Sequence, residues 1–378
     1  MNIGFVRKKY TFHGGSEAFT TLLINKLLEK GYKIFIYAIK WDAKGASNPN
    51  LIFKKIPVLN MGSLLRDLTF VISSFFLLKK EKHLDLIQTH DKTLFQDIYR
   101  AGDGCHLTWL KIRWKYGNFL AKLAILFNPW HWLILWIERT IFLKKRYKKI
   151  IAISQMVKNN ILENYQINPD DITVVYNGVD LERFNPENKA KYRYIIRKTY
   201  NISENDFVIL FVGSGFKRKG LQYLIESLNH IHTPMTLLVA GKGKLETKNQ
   251  NTIHKIIFCG AQREIEKYYA AADIFVFPTL YEPFGNVHLE AIASGLPVIT
   301  TKNSGAAEII KEGINGFILS SPENISELSD FILKLTNNDL RKKMSDNARK
   351  LAEKFDLDSF TTNMINIYDE IIKIKEKQ

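Results

Sequence analysis

Cysteine is nearly absent from this chain: Cys105 and Cys259 are the only two in 378 residues. Two cysteines build no disulfide framework, so a reduced, cytoplasmic setting is the expectation. Acid is also short, with 38 Asp and Glu against 54 Lys and Arg, a formal charge of +16. Such a balance favours acidic partners: nucleic acid, an anionic membrane surface or phosphorylated substrates. No His or Cys cluster has metal-ligand spacing. Asp356-Leu357-Asp358 is a D-x-D sequence, but its place between two helical runs reads as a cap. No apolar run reaches the roughly 20 residues that a membrane span requires. The N-terminal MNIGFVRKKY enters a strand at once, so no signal peptide is expected. The length suits two domains, each able to bury its own core.

What is present is organised around Pro278 to Val298, PTLYEPFGNVHLEAIASGLPV. The apolar run Asp273 to Phe277 reads as a buried parallel strand ending at Pro278. Pro283 pushes Glu282 away from helical dihedrals. Gly285 then opens a helix that Gly295 and Pro297 stop. Glu290 lies within that helix and Glu282 on the loop before it, so the two carboxylates can bracket a ligand along the helix N-terminus. There the amides of Gly285, Asn286 and Val287 point outward and the dipole favours a phosphate. A carboxylate accepts two hydrogen bonds, so Glu290 suits a ribose diol and Glu282 suits sugar hydroxyls. The loop reads as a cradle for a nucleotide diphosphate sugar. The bland alternative is a strand-loop-helix unit with a solvated Glu282 and a salt-bridged Glu290; His288 reads as packing.

E-P-F-G-x-x-x-x-E followed by A-x-A-S-G-x-P-V resembles the signature of family 4 retaining glycosyltransferases. The resemblance implies an α/β protein with the GT-B fold: two Rossmann-like doubly wound domains facing across a cleft, the C-terminal helix crossing back. The expected division is 1–186, with 358–378 packing back on it, and 187–357. It also places Phe284 with Glu282, Gly285, Asn286, Val287 and Glu290 at the donor.

Strands alternating with helices independently point to doubly wound sheets, whose ligands bind beyond the strand carboxyl ends. Asn2 to Arg7 is a first strand, His13, Gly14 and Gly15 follow, and Ser16 caps a helix. Backbone can approach a phosphate at such a turn; by resemblance, Gly15 faces the donor diphosphate. His90 and Asp91 follow a later strand, and Asp103 lies in Ala101-Gly102-Asp103-Gly104-Cys105. Asp91 reads as a turn former. The Asp103 stretch is similar to one in bacterial lipopolysaccharide-core glucosyltransferases, where the aspartate faces the acceptor. Either Asp103 or His90 is expected to orient an acceptor, with a plain turn as the alternative.

In the second half, Phe207 to Val212 is a strand followed by Gly213-Ser214-Gly215-Phe216-Lys217-Arg218-Lys219-Gly220. Small residues let the backbone come close, while Arg218 and Lys219 supply cations for a diphosphate. Meeting the charge on a departing nucleotide is a task that a metal performs elsewhere. The stretch resembles the family's G-x-x-x-x-R-K-G element. Lys217 reads as solvated. The turn Cys259 to Arg263 holds the nucleobase in relatives, mostly through backbone groups, which brings Arg263 into the donor set.

Cys105 to Lys149 has the most unusual composition: five of the six tryptophans and ten Lys or Arg against Glu138 alone. Tryptophan interleaved with cations suits an anionic headgroup layer. A buried helical hairpin accounts for the Leu-Ile-Trp content as well, and nucleic acid is a third reading, which the sugar-nucleotide loop disfavours.

The reading that follows is a metal-independent, retaining hexosyltransferase. Its catalytic set is Glu282, Asp103, His90 and Lys219, and its donor set adds Gly15, Arg218, Arg263 and the Phe284–Glu290 stretch. By resemblance the donor is a UDP-sugar, UDP-glucose first, and the acceptor a lipopolysaccharide or lipooligosaccharide core glycolipid at the inner face of the cytoplasmic membrane. Front-face attack and a covalent intermediate both stay open. Rivals are another hexosyl or N-acetylhexosaminyl transfer to a lipid-linked or capsular glycan, a glycoside hydrolase, and a non-catalytic basic module for membranes or nucleic acid. A hydrolase has no use for a phosphate-binding helix terminus beside Arg218 and Lys219.

Overall fold

Short runs of β-branched and aromatic residues alternate with helical stretches, and a computed structural model shows where they go. It describes residues 1–10, 15–41, 48–245 and 253–377, the side chains of residues 15–19 excepted. His13 and Gly14 lie outside the described residues. The chain divides into two units, Met1–Tyr176 with Asp358–Gln378, and Asn177–Leu357.

Unit 1 holds a seven-stranded parallel sheet. Its strands are β1 (Asn2–Tyr10), β2 (Lys33–Trp41), β3 (Leu51–Lys55), β4 (Leu86–Thr89), β5 (Ile98–Ala101), β6 (Lys149–Ala152) and β7 (Ile172–Val174), in the order β3-β2-β1-β4-β5-β6-β7. Helices α1 (Gly15–Glu29), α2 (Gly62–Lys80), α3 (His106–Tyr116), α4 (Phe119–Leu126), α5 (Pro129–Leu143) and α6 (Gln155–Tyr165) connect them. Unit 2 carries six parallel strands, β8 (Val208–Val212), β9 (Thr236–Ala240), β10 (Lys255–Gly260), β11 (Ile274–Phe277), β12 (Val298–Thr301) and β13 (Gly316–Leu319), ordered β10-β9-β8-β11-β12-β13. Its helices are α7 (Asn188–Thr199), α8 (Phe216–Lys219), α9 (Leu221–Leu228), α10 (Glu266–Ala271), α11 (Asn286–Ala293), α12 (Ile325–Lys334) and α13 (Asn338–Ala352). The last helix, α14 (Leu357–Glu376), belongs to unit 1 from Asp358 onward. There Tyr368 donates to Gln88 Oε1 at 2.8 Å and Lys26 pairs with Asp358 at 2.9 Å.

The division falls at Tyr176/Asn177 rather than at Pro186. The intervening turn is bonded into unit 2: Val179 N–H donates to Phe355 O at 2.8 Å, Arg183 pairs with Glu266 at 2.8 Å, and Arg349 donates to Phe184 O at 3.0 Å. In each sheet the strand order reverses once, between β1 and β4 and between β8 and β11. Ligands of such sheets bind beyond the carboxyl ends of the strands at that reversal. The loops after β8 and β11 are the two that carry Arg218, Lys219 and Glu282.

The basic tryptophan segment folds into α3, α4 and α5. Helix α5 buries Ile134, Ile137, Glu138, Ile141 and Phe142 on one face and exposes Trp132, Trp136 and Leu143 on the other. Trp130 is tied inward, its indole N–H donating to Asp67 Oδ2 at 2.9 Å, so it departs from the outward tryptophan face. No single helix among the described residues is long and apolar enough to cross a membrane; α4 and α5, bent by 58°, pass that test only as a pair. Glu138 is fully buried and takes the N–H of His106 at 2.8 Å, that of Leu107 at 3.2 Å and the Tyr165 hydroxyl at 2.8 Å, with Lys92 Nζ 3.5 Å away. One carboxylate thus caps α3 and ties it to α5 and α6. Glu138→Ala strands those donors and the Lys92 charge, and should cost about 3–5 kcal/mol, read as a lower urea midpoint. A midpoint unchanged from wild type would contradict this role.

Candidate functional site

The unit 2 site is built on three glycine positions. Gly213, directly after β8, runs so close to the Lys219 stem that a Cβ there would sit 2.5 Å from Lys219 Cδ. Gly220 has a φ of +76°, and a Cβ would collide with the Pro278 carbonyl. These contacts dock the one-turn helix α8 onto the loop after β11. Leu280 N–H donates to Arg218 O at 2.9 Å and Thr279 Oγ1 to the same oxygen at 3.1 Å. The third position, Gly285, has a φ of +84° before α11, the left-handed region that glycine enters without strain.

That docking brings three charges together. Glu282 Oε2 lies 3.0 Å from Arg218 Nη1 and 3.1 Å from Lys219 Nζ. Arg218 also donates to Tyr281 O at 2.8 Å, and the Lys219 ammonium stands 4.7 Å from the centre of the Phe277 ring. Burial alone would raise the Glu282 carboxyl, but Lys219 and then Arg218 outweigh it and hold the group below its ordinary range. The loop backbone is fixed on both sides, Glu282 N–H donating to Asn303 O at 3.1 Å and Gly305 N–H to Glu282 O at 2.9 Å.

Glu290, in the second turn of α11, sits in the opposite electrostatic state. Burial pushes its carboxyl up, against the Tyr269 hydrogen bond and the nearby Arg183 charge. The Tyr269 hydroxyl reaches Glu290 Oε2 at 2.9 Å and Val287 O at 3.2 Å. Asn286 accepts from Asn177 at 2.5 Å. His288 is fully buried, with Nδ1 2.9 Å from Gly285 O and Nε2 2.8 Å from Thr300 Oγ1. Burial lowers it to about 4, so at neutral pH it is an uncharged brace for the α11 N-terminus.

The structure brings Arg218, Lys219, Glu282, Gly285, Asn286, Val287 and Glu290 onto helix α8, the adjoining loop and the first two turns of α11. Phe284 differs from its neighbours. Its ring is fully buried, so its contribution is to anchor the loop, with its carbonyl accepting from Ser304 at 3.2 Å. Arg263 is exposed and offers its carbonyl to Arg183 at 2.9 Å. Tyr269 and Arg183 were invisible as site residues in the sequence, where Tyr268-Tyr269 reads as packing. Only the placement of α10 beside α11 assigns Tyr269 to Glu290.

In unit 1, Gly15 is the first residue of α1 after β1. His90 follows β4 but is buried. The Gln88 amide donates to its Nε2 at 2.9 Å, which puts the neutral ring's proton on Nδ1. Burial, then the Arg7 and Arg100 charges, hold it well below the usual histidine range. Asp103 follows β5 and is exposed, and its charge adds to the burial that raises Asp91. Among the described residues there is no group of three or more His, Cys, Asp or Glu able to hold a metal ion.

The depressed Glu282 has a pH signature. Its ion pairs contribute stability that is present above the ordinary carboxylate range and is lost as pH falls through the depressed value. Lys219→Ala removes the larger attraction. The acid limb of the stability curve should therefore move to higher pH in that variant, and an unmoved or downward-shifted limb would contradict the cluster.

Known proteins match both halves of the chain. The Glycosyltransferase Family 4 domain matches residues 13–183, and the Glycosyl transferases group 1 domain matches residues 193–351. An uncharacterized glycosyltransferase of Methanocaldococcus jannaschii is 29% identical over 233 residues, 58% of this chain and 59% of the relative. The lipopolysaccharide glucosyltransferase WaaG of Escherichia coli is 26% identical over 380 residues, 97% of this chain and 98% of the relative. The solved structure of WaaG superposes with a TM-score of 0.80 at 24% identity, covering 97% of this chain and 99% of that one, which shows the GT-B fold. With both halves matched and the fold shared end to end, the chain belongs to glycosyltransferase family 4 and is a hexosyltransferase.

Proposed function

We propose that this enzyme moves a hexose, glucose first among the candidates, from a UDP-sugar to a phosphorylated core glycolipid at an anionic membrane surface. It does so with retention and without a divalent metal. The observation that carries the reading is the Arg218–Lys219–Glu282 cluster beside the α11 N-terminus. A diphosphate entering there competes with Glu282 for both cations and meets the amides of Gly285, Asn286 and Val287. Arg218 and Lys219 then stabilise the charge that grows on the departing UDP. Glu282, freed from the cations, accepts from hexose hydroxyls, and Glu290 accepts from the ribose diol while Tyr269 fixes its orientation. Gly15 gives backbone access to the diphosphate, and Asp103 orients the acceptor. His90, buried against Gln88, acts as a positioning residue at most.

The full-length likeness to a lipopolysaccharide glucosyltransferase supports glucose and the core acceptor. The exposed apolar surface of unit 1 supports the membrane. Phe119, Leu120 and Phe127 are each exposed above 70%, beside Trp132 at 57% and Trp136 at 54%. Lys122 lies on α4 with Phe119 and Leu120, and Lys111, Arg113 and Lys115 lie on the preceding helix α3. Aromatic rings over cations suit the headgroup layer.

Purified enzyme should release UDP from UDP-glucose in an acceptor-dependent way, unaffected by EDTA. Glu282→Ala and Lys219→Ala should each lose roughly 10²–10³-fold in kcat. Glucose release from a plain glycoside would favour a hydrolase instead, and full activity in both variants would favour a non-catalytic module. Separately, replacing Trp132 and Trp136 with serine should weaken binding to phosphatidylglycerol vesicles roughly tenfold. Trp130→Ser tests packing on Asp67, not the membrane. Equal vesicle binding by a folded double variant would remove the membrane from the proposal.

A further inference from the structure

Unit 2 has a polar pocket at the amino-terminal end of its strands, opposite the donor loops. Asp273 marks the place: it precedes β11, whereas Glu282 follows that strand. The cavity, about 280 Å³, lies between α7 and α13 and is lined by Lys189, Arg193, Asp273, Asn338, Arg341, Lys342 and Ser345. Four of those seven side chains are cationic and one is acidic.

The single carboxylate is already committed. Asp273 Oδ1 takes Arg193 Nη2 at 2.9 Å, and Oδ2 takes Arg197 Nη2 at 3.0 Å and the Val208 N–H at 2.8 Å. Arg193 has a further acid, Glu204, 3.5 Å from its Nε. Arg341 is held by neutral groups, donating to Leu335 O at 2.8 Å, Thr336 O at 3.1 Å and Asn338 Oδ1 at 2.9 Å. Its charge, with those of Lys189 and Lys342, therefore faces the cavity without a carboxylate of its own there. Burial lowers the Lys189 ammonium below the usual lysine range. Asp273 opposes that shift, and Arg193, Arg341 and Arg197 reinforce it. Like charges gathered in a half-buried space cost free energy that an anion would relieve.

We propose that this pocket binds a phosphate-bearing anion through Lys189, Arg341 and Lys342. A compact phosphate matches what surrounds it. Arg341 presents a planar fork, the two lysines supply movable point charges, and Asn338 stands in the first turn of α13, where the helix dipole adds positive potential. The site is separate from the donor cradle but shares its supports. Helix α7 packs along α10, which carries Tyr269, and α13 reaches the end of α11 through Ser345 to Gly295 O and Arg349 to Ala293 O at 3.0 Å.

Calorimetry with pyrophosphate, on the full chain, tests the assignment. Wild type should bind it at two classes of site. Lys189→Gln/Lys342→Gln should lose one class, its Kd rising about tenfold or more, while Lys219→Ala keeps that class and loses the other. Lys342 is exposed, so Lys342→Glu alone serves as the variant that keeps the fold, and it should weaken the same class. A parallel arm measures binding to phosphatidylglycerol vesicles. Loss of pyrophosphate binding in the double variant assigns a soluble phosphate ligand, and loss confined to vesicles assigns a lipid headgroup. Binding by the double variant equal to wild type in both arms would overturn the site.

Discussion

Everything assigned to the donor site depends on one shared oxygen. Glu282 Oε2 holds both Arg218 and Lys219, and the loops that bring them together are spaced by glycine at 213 and 220. A half-buried carboxylate is costly unless its charge is met closely, and here two cations meet it. The arrangement leaves one net positive charge beside the N-terminus of α11, at the point where the strand order of the sheet reverses. Cations beside a helix N-terminus are the combination that a diphosphate is drawn to. The two glutamates of the loop then differ in physical state as well as position. Lys219 and Arg218 keep Glu282 ionised, whereas burial raises the Glu290 carboxyl against the opposing pull of the Tyr269 hydroxyl.

Much of this was legible in the chain because the signals were local. Pro278 and Pro283 punctuate the loop, Gly285 takes the φ that only glycine enters easily, and α11 ends at Ala293 before Gly295. The alternation of strands and helices carried the two doubly wound sheets. What stayed hidden was set by tertiary placement. Tyr269 is one of two adjacent tyrosines on α10, and nothing in the sequence distinguishes the one whose hydroxyl reaches Glu290. The boundary near Asn177 was obscured for a similar reason, since the bonds from Val179, Arg183 and Phe184 all run to distant parts of unit 2.

The tryptophan segment shows the same limit more sharply. Composition alone left a membrane-facing patch and a buried hairpin as alternatives, and α5 contains both a buried and an exposed face. Trp130 and Trp132 are two residues apart with opposite surroundings, because Asp67 on α2 captures the first indole. Glu138, the lone acid among ten basic residues, is buried at the junction of α3, α5 and α6 rather than on a solvated face. Its removal from the surface leaves the exposed charge of that segment wholly positive.

The most direct test of the account is a crystal structure of the enzyme with an unreactive UDP-glucose analogue. The diphosphate should lie on Arg218, Lys219 and the amides of Gly285 to Val287, with the ribose hydroxyls on Glu290 and with Glu282 turned from its cations toward the hexose. A nucleotide bound away from the carboxyl ends of β8 and β11, with the Glu282 ion pairs intact, would contradict it.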